Sequence, residues 1–579
     1  MLEKLDLRFH GKLSPEISCI FNKVSYDLRK DFNGFVSELS KPYINNLDWW
    51  VQGPASRNTF SSSFFHNYCC LHLLQYLIEN NKFSFNEILV DSLAIKKIFA
   101  NYLSDSNIHD CNICCNLTIK ENTKKFVKRY FLIYILFARK IIQLLIARIT
   151  RKNSDNNIPS IPLVLIDTFV IPCYTNEDRW YGSLWDNLTA EQRAETFFVP
   201  TVVLTPLKSM YLVYSSLRFN ARNFIIKEDY IRMNDLYFAL SYKSRIKKIQ
   251  IKPAYVLGYD FSSVIQDEFE NNPDVPTVVE SLLTYRFIQR LKSAGVTVRL
   301  AIDWFEGQAI DKAWNKGFRD IYPDAKTIGY RAFESFPFYL CSYPLPIEKK
   351  AGVIPAVMAV QGRGTLETVN EFMPDLDAIV IPSFKSGHVW EHNERPVINN
   401  NTVLTTLPIS LRSSLRIIKL FCSICEKNNG IKVIIKPHPT HSIDKVKKSL
   451  NNTFPNNLEI SPEKSLSVLL NKASLLVTEA SSTCLEAMAT SVPVIMMENQ
   501  EGLTFDPIPD RIPKELYRKI RTEEQLIAAI DYYFNFNSED LEQQKIRSKK
   551  VREDYFEPIT KDGVNRFMNI GTNKRTSNA

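Results

Sequence analysis

In the second half of the chain the apolar positions fall in short runs separated by amphipathic stretches, the pattern of a parallel α/β sheet. The spacing predicts strands at Thr297–Ile302, Lys326–Tyr330, Val357–Gln361 and Ala378–Ile381, with a helix from Asp311 to Arg319 after the first. The polar stretch Ser383–Asn401 then has the composition of a linker. Alternation restarts beyond it, with strands at Val403–Thr406, Lys432–Ile435, Leu475–Val477 and Pro493–Met496, and helices over Ser410–Lys427, Lys464–Asn471 and Ser482–Ala489. Upstream, Glu87–Val90 and Leu163–Ile166 read as strands of the first domain. The expected architecture is α/β, with two Rossmann-like, doubly wound domains facing a central cleft at the carboxyl ends of both sets of strands, where such sheets bind ligands. The boundaries follow as 1–385, a linker 386–401, a second domain 402–545, and a C-terminal helix with a polar tail over 546–579.

One segment breaks the pattern. Phe126–Ile149 is mostly apolar but carries Arg139 and Lys140 at its middle. A spanning helix needs about 20 apolar residues, and each central cation costs about 2.5–3.5 kcal/mol, so spanning is excluded. Lys128/Arg129, Arg139/Lys140 and Arg151 recur at roughly eleven residues, near three helical turns. A basic stripe on an apolar helix over 124–152 fits a helix lying on anionic lipid. It fits equally a core helix whose stripe faces water.

At 579 residues the chain is too long for one core. With 45% hydrophobic and 23% charged residues it has ordinary globular composition. Only the tail beyond about Asn565 reads as disordered. The net charge of +9 suits an anionic substrate or a membrane surface. No basic module accompanies it, so nucleic acid is not an expected partner. The 11 cysteines are scattered. Cys111/Cys114 and Cys422/Cys425 lie too far apart to form a four-ligand zinc site, and no metal is expected. The first residues lack the basic-then-apolar order of a signal peptide, which points to the cytoplasm.

Candidate chemistry begins at Lys436-Pro-His-Pro-Thr440, directly after a predicted strand. Lys436 and His438 at a strand end suit a phosphate, because hydrogen bonds to charged groups contribute about 1.5–3 kcal/mol. A histidine between prolines serves equally as a turn residue. Some forty residues on, Ser481 and Ser482 stand where a helix starts, a place for an anion or a plain N-cap. Glu486, one turn further, is placed to accept from ribose hydroxyls or to face water.

Lys436–Pro439 and Glu479–Ser482 resemble the paired His-Pro and Ser-Ser motifs of GT-B glycosyltransferases that use CMP-sugars, such as Kdo transferases and bacterial sialyltransferases. There the histidine and serines grip the donor phosphate. Asp48-Trp-Trp50, Ser56-Arg-Asn58, Asp178–Tyr181, Trp304–Gln308 and Lys326–Tyr330 further resemble bacterial surface-carbohydrate biosynthesis proteins of the O-antigen or capsule type. The resemblance runs from about residue 48 to 515. One departure is Ser491, where such transferases place glycine.

What the resemblance implies is a GT-B-like fold and transfer of a CMP-activated acidic sugar. The acceptor would be a lipid-linked saccharide or an oligosaccharide, met in the cytoplasm or at the inner face of the cytoplasmic membrane, with no cofactor beyond the nucleotide-sugar co-substrate. Such chemistry needs a carboxylate in the first domain as base or nucleophile. Glu306 is the first candidate and Asp303 the second; helix capping or pairing with Lys312 is the plain alternative. Arg57 and Arg179 are candidate clamps for an acidic sugar or acceptor. A teichoic-acid-type CDP-polyol phosphotransferase, a nucleotide-sugar epimerase and a non-catalytic scaffold remain as alternatives.

Overall fold

The computed structural model describes residues 4–115, 119–151, 159–172, 174–271, 274–391, 400–408, 410–438, 454–463, 465–479 and 481–570, with the backbone alone from 119 to 130. Strands β1 (Lys4–Asp6), β2 (Glu87–Val90) and β3 (Asn112–Cys115) form a small parallel sheet. Strands β4 (Leu163–Val170) and β5 (Thr196–Val202) open the first large sheet. A short hairpin, β6 (Tyr255–Val256) and β7 (Tyr259–Asp260), interrupts it before β8 (Val298–Trp304), β9 (Lys326–Arg331), β10 (Val357–Val360) and β11 (Ala378–Val380). The second large sheet holds β12 (Thr402–Thr406), β13 (Lys432–Lys436), β14 (Leu458–Ile460), β15 (Leu475–Thr478), β16 (Val494–Met497) and β17 (Tyr517–Ile520).

Both large sheets have six strands and are parallel throughout, in the orders β11-β10-β9-β8-β4-β5 and β14-β13-β12-β15-β16-β17. The chain thus builds the two doubly wound α/β domains of the GT-B-like plan. Each sheet has one place where the strand order reverses, and such a place leaves a crevice at the strand ends. It lies between β4 and β8 in the first sheet and between β12 and β15 in the second. The central strands are buried on both faces, as crossover helices require.

Several expectations are corrected. Glu87–Val90 is not in the first large sheet, because β1 and β3 already pair with both of its edges. The strands β5, β14 and β17 were not foreseen. The linker is not wholly polar loop: Ser386 and Val389 are buried, and residues 392–399 lie outside the described residues. The expected start of the polar tail falls within a helix, Lys561–Met568, and the described residues end at Ile570. Val564, Phe567 and Met568, spaced as one helical face, bury against Tyr330 and Phe384 of the first domain.

The chain therefore crosses between the domains twice, and the crossings lie side by side. Ser383 N–H donates to Glu557 O at 2.9 Å, Glu557 N–H to Gln361 O at 2.6 Å, and Trp390 Nε1 to Phe556 O at 3.1 Å.

The basic apolar segment is one helix, Ile119–Ile149, but its basic residues are not an outward stripe. Lys140 pairs with Glu280 at 2.5 Å, Arg139 donates to Thr205 O at 2.7 Å, and Arg148 to Ile231 O at 2.8 Å. Arg151 is exposed just beyond the helix end, and the side chains of Lys128 and Arg129 lie outside the described residues. Glu280 also binds Lys227 at 2.7 Å, and the two ammonium groups hold its carboxyl well below the usual range against the cost of burial.

Candidate functional site

Glu306 sits just beyond the end of β8, at the reversal point of the first sheet. Its carboxylate accepts three hydrogen bonds: from Trp304 Nε1 at 2.8 Å, Gln308 Nε2 at 2.6 Å and the Tyr339 hydroxyl at 3.1 Å. The adjoining Gly307 makes the turn possible. Its backbone is left-handed at φ +78°, and any Cβ there would lie 1.8 Å from Cys341 O. Capping of the following helix falls to Asp311, which accepts from the backbone N–H groups of Glu306 at 2.9 Å and Gln308 at 3.0 Å. Glu306 is thereby left half-buried and aimed by three donors.

Asp303 is placed differently. It is fully buried, with Asn315 Nδ2 donating at 2.5 Å. Burial, then the neighbouring Asp311 and Asp167 carboxylates, push its pKa well above the usual range. It belongs to the core under the site. Lys312 pairs with neither carboxylate; its partner is Glu348 at 2.8 Å. Glu348 also binds Arg57 at 2.9 Å. Arg57 is buried too, its two Nη groups also donating to Asn33 Oδ1, Leu340 O and Tyr343 O. Arg57 therefore clamps the protein's own chain, and the clamp role expected of it is corrected.

Arg179 is in the loop after β4, across the reversal point from Glu306. Asp178 shapes that loop by accepting from the Trp180 and Tyr181 N–H groups at 2.8 and 2.9 Å, and it pairs with Arg222 at 3.0 Å. Gly182 lets the loop pass the crossing segment, since a Cβ there would meet Phe384 O at 2.1 Å. Trp180 packs 4.8 Å from Trp304, the residue that donates to Glu306.

Lys385 lies on the crossing segment itself, its ammonium 5.3 Å from the Trp304 ring centroid. Burial lowers its pKa; Glu486 and Glu306 oppose that, and Arg179 adds to it. One lysine thus feels a carboxylate from each domain.

In the second domain, Lys436 ends β13, and the register sets it level with Thr406 of β12 and Thr478 of β15. Its pKa is lowered by burial and then by the Arg179 charge from the facing domain. His438 is half-buried two residues on; Pro439 and Thr440 lie outside the described residues. The Ser481 hydroxyl is 2.8 Å from that of Thr483, and Thr406 donates to Thr478 at 2.8 Å, so a hydroxyl cluster occupies the second reversal point. Ser482 precedes the helix Thr483–Ala489 and makes no side-chain cap bond. Glu486 is not solvent-facing: it is buried, with His388 Nε2 at 3.3 Å from Oε2.

The structure therefore brings Glu306, Arg179 and Glu486 within electrostatic reach of Lys385, and Arg179 within reach of Lys436, with His438, Ser481 and Ser482 beyond the neighbouring strand ends of the second domain. Asp303 and Arg57 stay outside. Lys385 and His388 were missed because their segment reads as linker. The signal was available, since Lys385-Ser-Gly-His388 follows a predicted strand after three residues, close to the way Lys436-Pro-His438 follows another.

Beside this cluster a cavity of about 560 Å³ lies between the domains. Its walls include Tyr26, Glu334, Phe338, Glu371, Asp506 and Arg511. Glu334 is buried beyond β9; Thr368 donates to Oε1, and Oε2 has no hydrogen-bond partner among the described residues. Burial raises its pKa. The loop Gly502–Pro509 lines this cavity and ties to the first domain, with Phe60 and Phe505 stacked at 4.4 Å and Thr504 N–H donating to Asn22 Oδ1 at 2.8 Å. The two C-x-x-C pairs hold free cysteines and no metal cluster is found among the described residues.

No protein-family profile matches the chain, and no curated protein does. Among solved structures it is similar to a putative UDP-N-acetylglucosamine 2-epimerase from Listeria monocytogenes, at 12% identity over 70% of this chain and 95% of that one, TM-score 0.40. It is similar to MurG from Acinetobacter baumannii at 10% identity, 71% and 99% coverage, TM-score 0.36. A calicheamicin glycosyltransferase gives 11% identity, 67% and 94% coverage, TM-score 0.39. Scores of this size decide nothing by themselves, and the two-sheet plan stands on the strand pairings above.

Proposed function

We propose that the chain is a glycosyltransferase that takes a nucleotide-activated sugar. The observation that carries this is the meeting of three cations, Arg179, Lys385 and Lys436, with two carboxylates, Glu306 and Glu486, where the reversal points of both sheets face each other. A donor phosphate fits the cationic side, with His438, Ser481 and Ser482 on the second-domain rim and Glu486 toward the ribose. Cations aimed at the leaving phosphate stabilise the charge that develops there. Glu306 faces them from the first domain and serves as base for the acceptor hydroxyl, or as nucleophile in a double displacement.

The cation excess supports an acidic donor sugar, and the resemblance of Lys436–Pro439 and Glu479–Ser482 to CMP-sugar motifs supports CMP as its carrier. The adjoining cavity, rich in carboxylates and aromatic rings, supports a neutral saccharide as acceptor, carried on a lipid in surface-polysaccharide synthesis. A thermal-shift series with CMP, CDP, UDP and GDP tests the donor side, since ligand at 100 times its Kd stabilises by about 2.7 kcal/mol. Stabilisation by CMP above the others, and CMP release from a CMP-sugar, is the expected result. Stabilisation by none of them overturns the reading. Glycerol or ribitol phosphate transfer from a CDP-polyol replaces it with the phosphotransferase, and isomerisation of free UDP-sugar with the epimerase.

A further inference from the structure

The helix Ile119–Ile149 is amphipathic in the wrong sense for water. From Phe131 to Ala147 its polar groups turn inward: Gln143 donates to the Tyr214 hydroxyl at 2.8 Å and to Glu228 Oε1 at 2.7 Å, and Lys140 and Arg139 are held as described above, while Arg148 beyond them is exposed. Its outer face is Phe131, Tyr134, Ile135, Ile142, Leu145 and Ile149, with Tyr134 70% and Ile149 73% exposed. A water-facing helix shows the reverse pattern.

The neighbouring helix Leu207–Arg218 packs against it and repeats the pattern, exposing Leu207, Tyr211 and Leu212, with Leu204 before and Phe219 after it. Met233 and Tyr237, on the helix Met233–Leu240 packed beside the first, continue the apolar surface. Contiguous exposed apolar surface of this kind marks an interaction face.

The chemistry of the occupant follows from charge. Residues 131–151 and 203–219 contain six basic side chains (Arg139, Lys140, Arg148, Arg151, Lys208 and Arg218) and no acidic one. Of these, Lys140 and Arg218 are paired with Glu280 and Asp229, whereas Arg139 and Arg148 donate to backbone carbonyls, which carry no net charge, and Lys208 is exposed between Leu207 and Tyr211. Apolar side chains with aromatic rings and a cationic surround suit the boundary between acyl chains and anionic headgroups. No helix among the described residues is long and apolar enough to cross a membrane.

We infer that this two-helix face is a docking surface for an anionic phospholipid bilayer, entered by its apolar side chains rather than by a basic stripe. It also touches the site. Ser216 donates to Asn176 Oδ1 at 3.2 Å and Asn220 to Thr175 O at 3.0 Å, and both acceptors are in the loop that carries Arg179. Docking therefore sets the cleft at the lipid surface.

The experiment needs no donor or acceptor and so stands apart from the transferase reading. The full chain is sedimented with vesicles of phosphatidylcholine alone and of equimolar phosphatidylcholine and phosphatidylglycerol. The wild type is expected in the pellet with the anionic vesicles, and less with the neutral ones. Leu145→Glu/Leu212→Glu, both exposed in the free protein, should lower the bound-to-free ratio at least about tenfold and leave the melting temperature unchanged. Leu145→Ala/Leu212→Ala should fall between. Wild type left in the supernatant with both vesicles overturns the inference, as does a glutamate variant that sediments like wild type. A wild-type dimer by light scattering that the glutamate variant dissolves assigns the face to a second copy of the chain instead.

Discussion

The two reversal points make the same kind of crevice by different means. In the second sheet, Lys436, Thr406 and Thr478 are level because neighbouring strands are in register, and Ser481 and Ser482 follow within a few residues. In the first sheet, Glu306 depends on Tyr339, Arg179 on a loop shaped by Asp178 and Arg222, and both on Trp180 packed against Trp304. One half-site is local and the other is assembled from distant segments. A half-site built locally should lose binding when a residue is changed, whereas one assembled at a distance should lose chemistry or the fold itself.

The largest effect is expected from the buried support of the first domain. Arg57→Ala leaves Glu348 with Lys312 alone, and breaking a buried ion pair costs about 3–5 kcal/mol. A lowered melting temperature with unchanged KM in whatever remains folded is the expected result; a raised KM at unchanged stability returns Arg57 to the cleft. Glu306→Gln comes next. It keeps the shape and removes basicity, so kcat should fall at least about a hundredfold, roughly 2.7 kcal/mol of barrier. Nucleotide affinity, read by thermal shift, should hold.

On the second-domain side the expected losses are in affinity. His438→Ala and Ser481→Ala/Ser482→Ala should each weaken the donor by about 1.5–3 kcal/mol, roughly ten- to a hundredfold in Kd. Melting curves should overlay wild type. Lys436 adds a pH signature. Its folded pKa lies below the ordinary 10.5, so the charged form that holds a phosphate is present below that pKa and lost as pH rises through it. Donor affinity should therefore decline in the alkaline range before an ordinary lysine titrates. Lys436→Arg, whose charge persists, should flatten that decline when Kd is measured against pH.

The smallest effect is expected at Ser491, which holds a left-handed backbone at φ 63°. Relief of that strain is worth about 1 kcal/mol, and the added freedom of the unfolded glycine offsets most of it. Ser491→Gly should shift stability by less than about 0.5 kcal/mol in either direction.

This contrast also explains what could be read from the chain alone. Strand periods and strand-end motifs are local, so four of the six strands of the second sheet, and the strand ends that carry Lys436 and Ser481, were legible. The strand before Glu306 was legible for the same reason. Whether Glu306 or Asp303 faces the cleft was not, since a one-residue step along a strand reverses the side, and the turn that frees Glu306 depends on Gly307 lying against Cys341. Arg57 looked like a ligand clamp because nothing near it in sequence announces Glu348. The basic residues near 140 looked like a surface stripe because Glu280 and Thr205 lie far along the chain.

The paired crossings have a consequence for motion. Two segments running abreast, joined by the bonds of Ser383 and Glu557 and closed in by Tyr555 against Gly362, resist sliding and twisting but bend across their width. A rotation of the domains that spares these bonds would turn about that seam, with Lys385 two residues from Ser383 and with Glu306 and Glu486 on opposite sides, and it would have to part the Phe60–Phe505 stack and the Thr504–Asn22 bond.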